Sequence, residues 1–418
     1  MTGTGTGTGP DAPLRVGLVG YGLAGSVFHA PLIAATDGLV LDTIVTSSPE
    51  RRAQARAEFP GVRFEASPDA LWGRASQGGG TGSGHGGGTG SGHGGGTDPG
   101  RSGDANSALE PLDPVEALDP LEPLEPLDLI VIASPNKTHV PIATAALKAG
   151  LPVVVDKPLA GTAAEARGLA ALAEERGLLL SVFQNRRWDN DFLTLARLIR
   201  AGELGEVQRF ESRFERWRPQ LKGGWRESGA PEEIGGLLYD LGSHVVDQAL
   251  MLFGPAVRVY AEADVRRQGA EADDDTFLAI THANGVRSHL YASATTAQLG
   301  PRFRVLGSKA GYVKYGLDPQ EAALREGKRP GAEPGWGLEP ESLWGRIGAG
   351  QSPLTGGGHP VETEPGDYPA YYAGIAAALR DSTEPPVTAR QAAAALDVLE
   401  AARRSAREGV TIDLEVRS

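Results

Sequence analysis

A short glycine-rich turn near the start of the chain constrains the fold more than any other stretch. Residues 15–29 read RVGLVGYGLAGSVFH, in which an apolar run enters three glycines and a helix-compatible segment follows over Ser26–Ala35. The spacing G-x-G-x-x-G directly after a strand is typical of dinucleotide binding, because the glycines permit a tight turn, close approach of a pyrophosphate and close packing of helix on strand. The N–H groups at the start of the helix favour a bound phosphate. A purely structural turn is the alternative, and the strand-turn-helix context favours a cofactor held by Gly20, Gly22, Leu23, Ala24 and Gly25.

The end of the second predicted strand bears on which nicotinamide cofactor is bound. Leu39–Val45 is apolar and β-branched, and an NAD-binding unit places an Asp or Glu just beyond such a strand to bond the ribose 2′-hydroxyl. This chain has Thr46, Ser47 and Ser48 there, followed by Arg51 and Arg52. Without a carboxylate a ribose 2′-phosphate is not repelled, and an arginine can pair with it. We therefore predict NADP rather than NAD, bound through Ser47 and Arg51. The alternative is that both arginines are solvated on the next helix.

Composition narrows the class of protein. The chain has 418 residues and no cysteine, which excludes disulfides and thiolate metal sites, and we predict no metal centre. A formal charge of −13 argues against a nucleic-acid partner. The N-terminal MTGTGTGTGPDAP has neither the basic region nor the apolar core of a signal peptide, and no apolar run approaches the roughly 20 residues of a membrane span. We expect a cytoplasmic protein.

Low-complexity stretches divide the first half of the chain. Residues 1–12 are predicted to be a disordered tail, and residues 73–127 an insertion looped out of the fold, since two copies of GGGTGSGH lead into an acidic run punctuated by proline. The flexible glycine-rich sequence around His85 and His93 does not hold these side chains in place as metal ligands. The rest of residues 13–184 alternates strands with helices, which predicts an α/β Rossmann domain built on a doubly wound parallel sheet.

Residues 185–418 follow a different pattern. A helix over Asn190–Ala201 precedes short strand-like stretches joined by turns such as Ala283-Asn284-Gly285, which are typical of antiparallel hairpins. We predict an α+β domain whose sheet is covered by helices on one face and is polar on the other, open to water or to a neighbouring subunit. The late helix Ala389–Arg407 is expected to pack back on the rest.

Candidate catalytic and binding residues fall in both halves. Five polar residues follow the carboxyl ends of predicted parallel strands, where ligands of such sheets collect: Ser134, Asn136, His139, Lys157 and Asn185. Asp240 and His244 are four residues apart, so on one helix they share a face, where the carboxylate would raise the pKa of the imidazole and orient it as a base for an alcohol proton. Lys157 would supply a cation near the alkoxide. A helix-surface contact and an exposed lysine are the alternatives.

Four motifs together resemble the Gfo/Idh/MocA oxidoreductase family: GYGLAG at 20–25, SPNKTH at 134–139, DKP at 156–158 and YDLGSHVVD at 239–247. The longer stretches GYGLAGSVFHAPLI, QNRRWDNDFLTL, LYDLGSHVVDQ and VKYGLDPQEAALREG are similar to the branch of NADP-dependent scyllo-inositol dehydrogenases. The family more often has Glu-Lys-Pro, so Asp156 is a departure that keeps the lysine. The resemblance implies a Rossmann domain, a C-terminal domain on an open, mostly antiparallel sheet, and hydride transfer between NADP and a cyclic polyol or sugar.

The resemblance also implies residue roles. His244 would act as the general base, oriented by Asp240, and Lys157 would hydrogen-bond the reacting oxygen while hydride passes to C4 of the nicotinamide. A keto-sugar reductase or an aldose dehydrogenase of the same family is an alternative, and so is a non-catalytic NAD(P)-sensing regulator. The presence of Lys157, Asp240 and His244 argues against a regulator, because a sensor does not need an acid–base pair and a positioning cation.

Further substrate contacts are expected where the chain crosses between the two domains. The segment NRRW resembles that crossing, so we expect Arg187 or Trp188 near the substrate, with packing at the junction as the equal alternative. Trp225, Arg226 and Tyr239 are candidates for substrate contact, with core or interface roles as the alternative. A homodimer or homotetramer formed through the open sheet is expected from the same resemblance.

Overall fold

A six-stranded parallel sheet organises the first half of the chain. The structure is a computed structural model that describes residues 12–75, 125–332, 334–350 and 358–415, with the backbone alone of Trp225. The sheet order is β3-β2-β1-β4-β5-β6, with β1 (Leu14–Val19), β2 (Leu39–Val45), β3 (Arg63–Glu65), β4 (Leu129–Ile132), β5 (Val153–Asp156) and β6 (Leu180–Phe183). The strand order reverses between β1 and β4, where sheets of this topology bind their ligands beyond the carboxyl ends. The predicted Rossmann-like sheet is confirmed.

Helical segments connect these strands. The glycine turn continues into a π-helical turn over Ala24–His29, so helical structure begins two residues earlier than predicted. The α-helices that follow are α1 (Ala30–Ala34), α2 (Pro49–Glu58), α3 (His139–Lys148) and α4 (Ala163–Arg176). Single π-helical turns are frequent at functional sites. This one starts at the glycines that we expect to meet the cofactor.

A nine-stranded sheet forms the second half. Its order is β14-β13-β12-β11-β7-β10-β9-β8-β15. β7 and β10 pair in parallel and the other neighbours pair antiparallel, so the predicted open, mostly antiparallel sheet is confirmed. The strands are β7 (Val207–Glu215), β8 (Ala256–Asp264), β9 (Asp275–His282), β10 (Arg287–Ser293), β11 (Phe303–Gly307), β12 (Gly311–Lys314), β13 (Gly345–Gly348), β14 (His359–Val361) and β15 (Ile412–Asp413).

Helices of the second half link the two sheets. They are α5 (Asn190–Arg200), α6 (Leu237–Asp240), α7 (Gly242–Phe253), α8 (Gln320–Arg325), α9 (Pro369–Asp381) and α10 (Ala389–Glu408). α7 packs on β7 and β10, and α10 packs on β8 and also on α4 of the first half. Arg167 Nη1 on α4 lies 2.8 Å from Asp397 Oδ2 on α10. The last long helix therefore packs back on the parallel-sheet half, as predicted.

The two ends of the predicted insertion meet at the parallel sheet. Ala75 and Leu127 form an isolated parallel bridge, and Leu127 N donates to Arg74 O at 2.7 Å. The buried Arg74 guanidinium joins Asp42 Oδ1 at 2.8 Å and the carbonyl oxygen of Glu125 at 2.6 Å. Residues 76–124, with His85 and His93, lie outside the described residues, and so do residues 1–11.

The described residues contain neither a membrane-spanning helix nor a cluster of metal ligands. No helix among them has both the length and the apolar character needed to cross a bilayer. Across the same ranges, no group of three or more His, Cys, Asp and Glu side chains is arranged to hold a metal ion.

Candidate active site

The three glycines of the turn have different surroundings. Gly20 has a φ of +100°, and a Cβ there would lie 2.7 Å from the carbonyl oxygen of Ala133. A Cβ on Gly25 would overlap the carbonyl oxygen of Gly20. These two glycines are therefore required by the fold itself. Gly22 differs, because a Cβ there would meet no atom within 4 Å. The open space at Gly22 fits a dinucleotide, whose pyrophosphate needs that approach to the backbone.

The end of β2 carries hydroxyls and arginines where a carboxylate would select NAD. Ser48 caps α2 by accepting a hydrogen bond from Arg51 N at 3.3 Å, and Ser47 and the Arg51 side chain are exposed. Arg52 is turned to the backbone, with Nε donating to Thr46 O at 2.8 Å. Glu50 is a nearby carboxylate and accepts from the Ser48 hydroxyl at 2.9 Å. Of the two arginines, Arg51 is the one left exposed at the start of the helix.

The loop after β4 is tied to the loop that carries Lys157. His139 is fully buried, and its ring nitrogens lie 2.8 Å from Pro158 O and 2.9 Å from Ser134 O. Burial lowers its pKa despite these carbonyl partners. Ser134 Oγ pairs with Thr138 Oγ1 at 2.6 Å. His139 and Ser134 therefore fix the loop and do not line the main cavity described below, whereas Asn136 lines a small recess beside Lys157.

Lys157, Asp240 and His244 meet at one cavity of about 540 Å³. Lys157 Nζ donates to Asp240 Oδ1 at 2.9 Å and to the Asp240 carbonyl oxygen at 2.6 Å. The two side chains are 14% and 26% exposed, so the ion pair is largely shielded from water. The cavity reaches the nucleotide turn through Leu23 and Ala24, and buried Asn185 also lines it. The structure thus joins the predicted trio to the predicted cofactor site.

The sequence prediction for Asp240 and His244 was wrong in one respect. The two residues do not share one continuous helix, because helical structure is interrupted at Leu241, between α6 and α7. Asp240 is bonded to Lys157, with Arg226 Nε at 3.6 Å, and it makes no hydrogen bond with His244. Instead of being raised, the pKa of His244 is held well below its usual value by burial and by the nearby cations Lys157, Arg186, Arg302 and Arg216.

Both groups therefore have defined protonation states near neutral pH. Burial raises the pKa of Asp240, but Lys157 and Arg226 lower it by more and leave it at about 2. His244 is neutral, and its buried Nδ1 has no hydrogen-bond partner among the described residues. A neutral imidazole beside a lysine held by a carboxylate is suited to taking up a proton from a hydroxyl.

Three predicted substrate contacts do not line this cavity. Arg187 is buried in a two-pronged ion pair, with Nη2 2.7 Å from Asp247 Oδ1 and Nε 2.8 Å from Oδ2. Trp188 packs edge-on against Tyr371 at 5.5 Å between ring centroids. Tyr239 is 1% exposed and lies under the Arg403 guanidinium. We correct the expectation for Arg187 and Trp188 to packing at the junction, and that for Tyr239 to a buried position in the core. Trp225 begins a short 3-10 turn whose other members, Arg226 and Glu227, line the cavity.

Sequence reasoning missed several charged residues of the cavity. Arg186, and not Arg187, faces it, and its guanidinium bonds Tyr368 Oη at 2.9 Å and also Glu321. Arg216 follows β7, and Arg325 lies on α8 beside Glu321. The predicted segment NRRW contains Arg186, but the sequence prediction named Arg187 as the arginine near the substrate. Arg216 comes from a distant segment, and Glu321 and Arg325 lie in the quoted stretch VKYGLDPQEAALREG, whose place beside the cavity only the fold shows.

A glycine turn of the dinucleotide-binding type and the group Lys157, Asp240 and His244 around one cavity are the arrangement expected of a nucleotide-binding oxidoreductase. Comparison with protein families agrees: the model of the oxidoreductase family's NAD-binding Rossmann fold matches residues 98–184, and that of its C-terminal alpha/beta domain matches residues 196–414. The chain belongs to the Gfo/Idh/MocA oxidoreductase family.

Individual relatives match along nearly the whole chain. Uncharacterized oxidoreductase YdgJ of Escherichia coli (strain K12) is 40% identical, covering 96% of this chain and 99% of YdgJ. The scyllo-inositol 2-dehydrogenase (NADP(+)) IolW of Bacillus subtilis (strain 168) is 32% identical, covering 96% of each chain. The solved structure of the putative oxidoreductase yvaA from Bacillus subtilis superposes with a TM-score of 0.79 at 31% identity, over 97% of this chain and 99% of that one.

Proposed function

We propose that the protein is an NADP-dependent oxidoreductase that transfers hydride between a cyclic polyol or sugar and the nicotinamide ring. The observation that carries this proposal is the meeting of Lys157, Asp240 and His244 at a cavity that is continuous with the nucleotide turn. The likeness to an enzyme named for an inositol and for NADP supports the same substrate class. More than half of the residues that line the cavity are charged or polar, which suits a substrate rich in hydroxyl groups.

The residues that would hold the cofactor lie along the carboxyl edge of the parallel sheet. Gly20, Gly22 and Gly25 would admit its pyrophosphate, and Ser47 and Arg51 would bind a ribose 2′-phosphate, with NAD as the weaker alternative. Leu23, Ala24 and Asn185 line the cavity and would meet the nicotinamide end. When bound, the cofactor supplies the hydride acceptor at its nicotinamide ring.

The proton and charge steps fall to residues of this chain. Lys157 Nζ donates a hydrogen bond to the reacting oxygen and stabilises negative charge as it develops there. The neutral imidazole of His244 accepts the proton that leaves the hydroxyl group. Asp240 holds the Lys157 ammonium in place through two contacts, one from its carboxylate and one from its carbonyl oxygen. Reduction of a ketone uses the same groups in reverse, with the protonated His244 donating.

The direct test is a panel of inositols, aldoses and keto-sugars assayed with each nicotinamide cofactor at about 340 nm, where the reduced ring absorbs. We expect turnover of a polyol or sugar with higher kcat/KM for NADP than for NAD. Higher efficiency with NAD would overturn the cofactor assignment. Tight cofactor binding without turnover of any polyol or sugar would instead favour the regulator. A homodimer or homotetramer and a cytoplasmic location remain predictions from the sequence.

A further inference from the structure

The segment that follows β7 brings three basic side chains to the cavity: Arg216, Arg218 and Lys222. Its backbone is fixed at the start by hydrogen bonds to the end of β10 and the residue after it. Arg216 N donates to Ser293 O and Arg218 N donates to Ala294 O, each at 2.8 Å. The position of Arg216 on the cavity wall is therefore set by the sheet before any ligand binds.

Arg216 lacks the countercharge that most cations of the cavity have. Arg186 and Arg325 share Glu321, Lys157 and Arg226 share Asp240, and Arg267 pairs with Asp274. Within the described ranges, the Arg216 guanidinium makes no hydrogen bond or ion pair, and its contact is the Phe214 ring at 5.6 Å. Arg216 is half-buried, whereas Arg218 and Lys222 are exposed. Shielding a cation from water without a partner costs free energy that a bound anion would recover.

The cavity as a whole carries excess positive charge. Eight basic and five acidic residues line it, and Asp274, which does not line the cavity, offsets Arg267, which leaves a surplus of two positive charges with His244 neutral. The nicotinamide ring of an oxidised cofactor is also a cation, so the surplus is not relieved at that end. The phosphates of the cofactor belong at the glycine turn and the end of β2, outside the residues around Arg216.

Arg216 belongs to the acid–base end of the cavity. Its guanidinium packs over the Phe214 ring at 5.6 Å, and that ring lies 6.3 Å from the His244 ring between centroids. In keeping with this position, Arg216 helps to lower the pKa of His244 and that of Asp240. Burial and Arg218 lower the pKa of Arg216 by more than the unbonded carboxylates Glu321 and Asp240 raise it. An anion bound by Arg216 would thus be held beside the reacting oxygen.

We propose that the substrate is an acidic polyol or sugar, bearing a carboxylate or a phosphate that Arg216 binds. The proposal rests on the oxidoreductase function proposed above and names the substrate class of that same cavity. The guanidinium group of an arginine can donate two parallel hydrogen bonds to a carboxylate or to a phosphate. Arg218 and Lys222 at the mouth would draw such a substrate in.

The test measures binding separately from turnover. The NADP-loaded protein is titrated by calorimetry with D-glucuronate, with glucose 6-phosphate and with neutral D-glucose, and the same sugars are assayed for reduction of NADP. Arg216→Gln is compared with Arg209→Gln, a control at an exposed arginine of β7, the strand that Arg216 follows. We expect at least one anionic sugar to bind about 10- to 100-fold more tightly than glucose, an advantage lost in Arg216→Gln, as for a removed charge-assisted hydrogen bond. Arg209→Gln should bind like the unmodified protein, and Arg216→Lys should recover part of the affinity.

Each other result has a distinct meaning. Equal binding of neutral and anionic sugars, or no binding of either, would overturn the proposal. A weaker Kd for NADP with unchanged sugar binding in Arg216→Gln would assign the arginine to the cofactor and also overturn it. Binding of anionic sugars that depends on Arg216, without any turnover, would support the anion site while contradicting the oxidoreductase function.

Discussion

Replacing Lys157 by methionine separates the electrostatic role of the ammonium from its packing, because methionine keeps an unbranched side chain, one heavy atom shorter, without the charge. Asp240 then loses the hydrogen bond at 2.9 Å from Nζ and keeps Arg226 at 3.6 Å as its nearest cation. The pKa of Asp240 is about 2, whereas an ordinary aspartate has a pKa of 3.8. This lowering corresponds to about 2 kcal/mol of folding stability, which is present when the pH is above 3.8 and is lost as the pH falls toward 2. Because Lys157 is a major cause of this lowering, we expect Lys157→Met to lose up to about 2 kcal/mol of unfolding free energy at neutral pH.

The catalytic loss should be larger than the loss of stability. Removing one donor to a developing oxyanion lowers turnover by about 10²- to 10³-fold. Lys157 is also one of the cations that depress the pKa of His244, so that pKa should rise in the variant. The base must be neutral to accept a proton, so the acid limb of the kcat/KM profile should move to higher pH.

The assay is steady-state turnover across pH, with cofactor binding measured on the same preparations. Asp240→Asn combined with Lys157→Met removes the stranded carboxylate and should recover part of the stability but none of the turnover. Unchanged turnover in a folded Lys157→Met variant, or an unmoved acid limb, would refute the assignment.

Four other perturbations test separate parts of the structure. In the unmodified protein, His244 should stay neutral down to pH 6.5 because its pKa is lowered. We therefore expect kcat/KM for substrate oxidation, measured against pH, to hold down to pH 6.5 and to decline only at lower pH. The Gly22→Ala variant should fold normally, and its affinity for NADP should fall about tenfold, which corresponds to roughly one lost hydrogen bond. The Gly25→Ala variant should instead have a lower thermal midpoint, because the added Cβ overlaps the Gly20 carbonyl oxygen. Arg187→Gln should lose about 3–5 kcal/mol of stability by stranding buried Asp247, without a selective rise in substrate KM. Replacing residues 78–122 by a short Gly-Ser link should leave the melting curve and turnover unchanged, since Ala75 and Leu127 are already paired.

Local patterns sufficed for the parts of the molecule that local physics decides. The glycine turn, the apolar strands β1, β2, β4 and β5 and the capped helix α4 all follow from spacing, burial and end signals over fewer than twenty residues. The position of Lys157 beyond a parallel strand followed from the sheet topology. These features predicted which residues lie at the carboxyl edge of the parallel sheet, and their contact with a cofactor stays a prediction.

Other features depended on geometry that no local pattern contains. Arg186 and Arg187 are neighbours in a 3-10 turn, and only the phase of that turn decides which one faces the cavity. The four-residue spacing of Asp240 and His244 suggested a direct pair, but the break at Leu241 and the arrival of Lys157 gave Asp240 a different partner. Arg216 and Glu321 come from segments about a hundred residues apart, and the nine-stranded sheet brings them to one cavity.

Hydride transfer itself is tested most directly with a labelled substrate. The protein is incubated with NADP and scyllo-inositol carrying deuterium on its ring carbons, or with the substrate that the panel selects, and the reduced cofactor is analysed by mass spectrometry. The proposed function predicts that the nicotinamide ring gains one deuterium from the substrate and none from deuterated water. A reduced cofactor whose new hydrogen comes from solvent, or no reduction by any polyol or sugar, would contradict it.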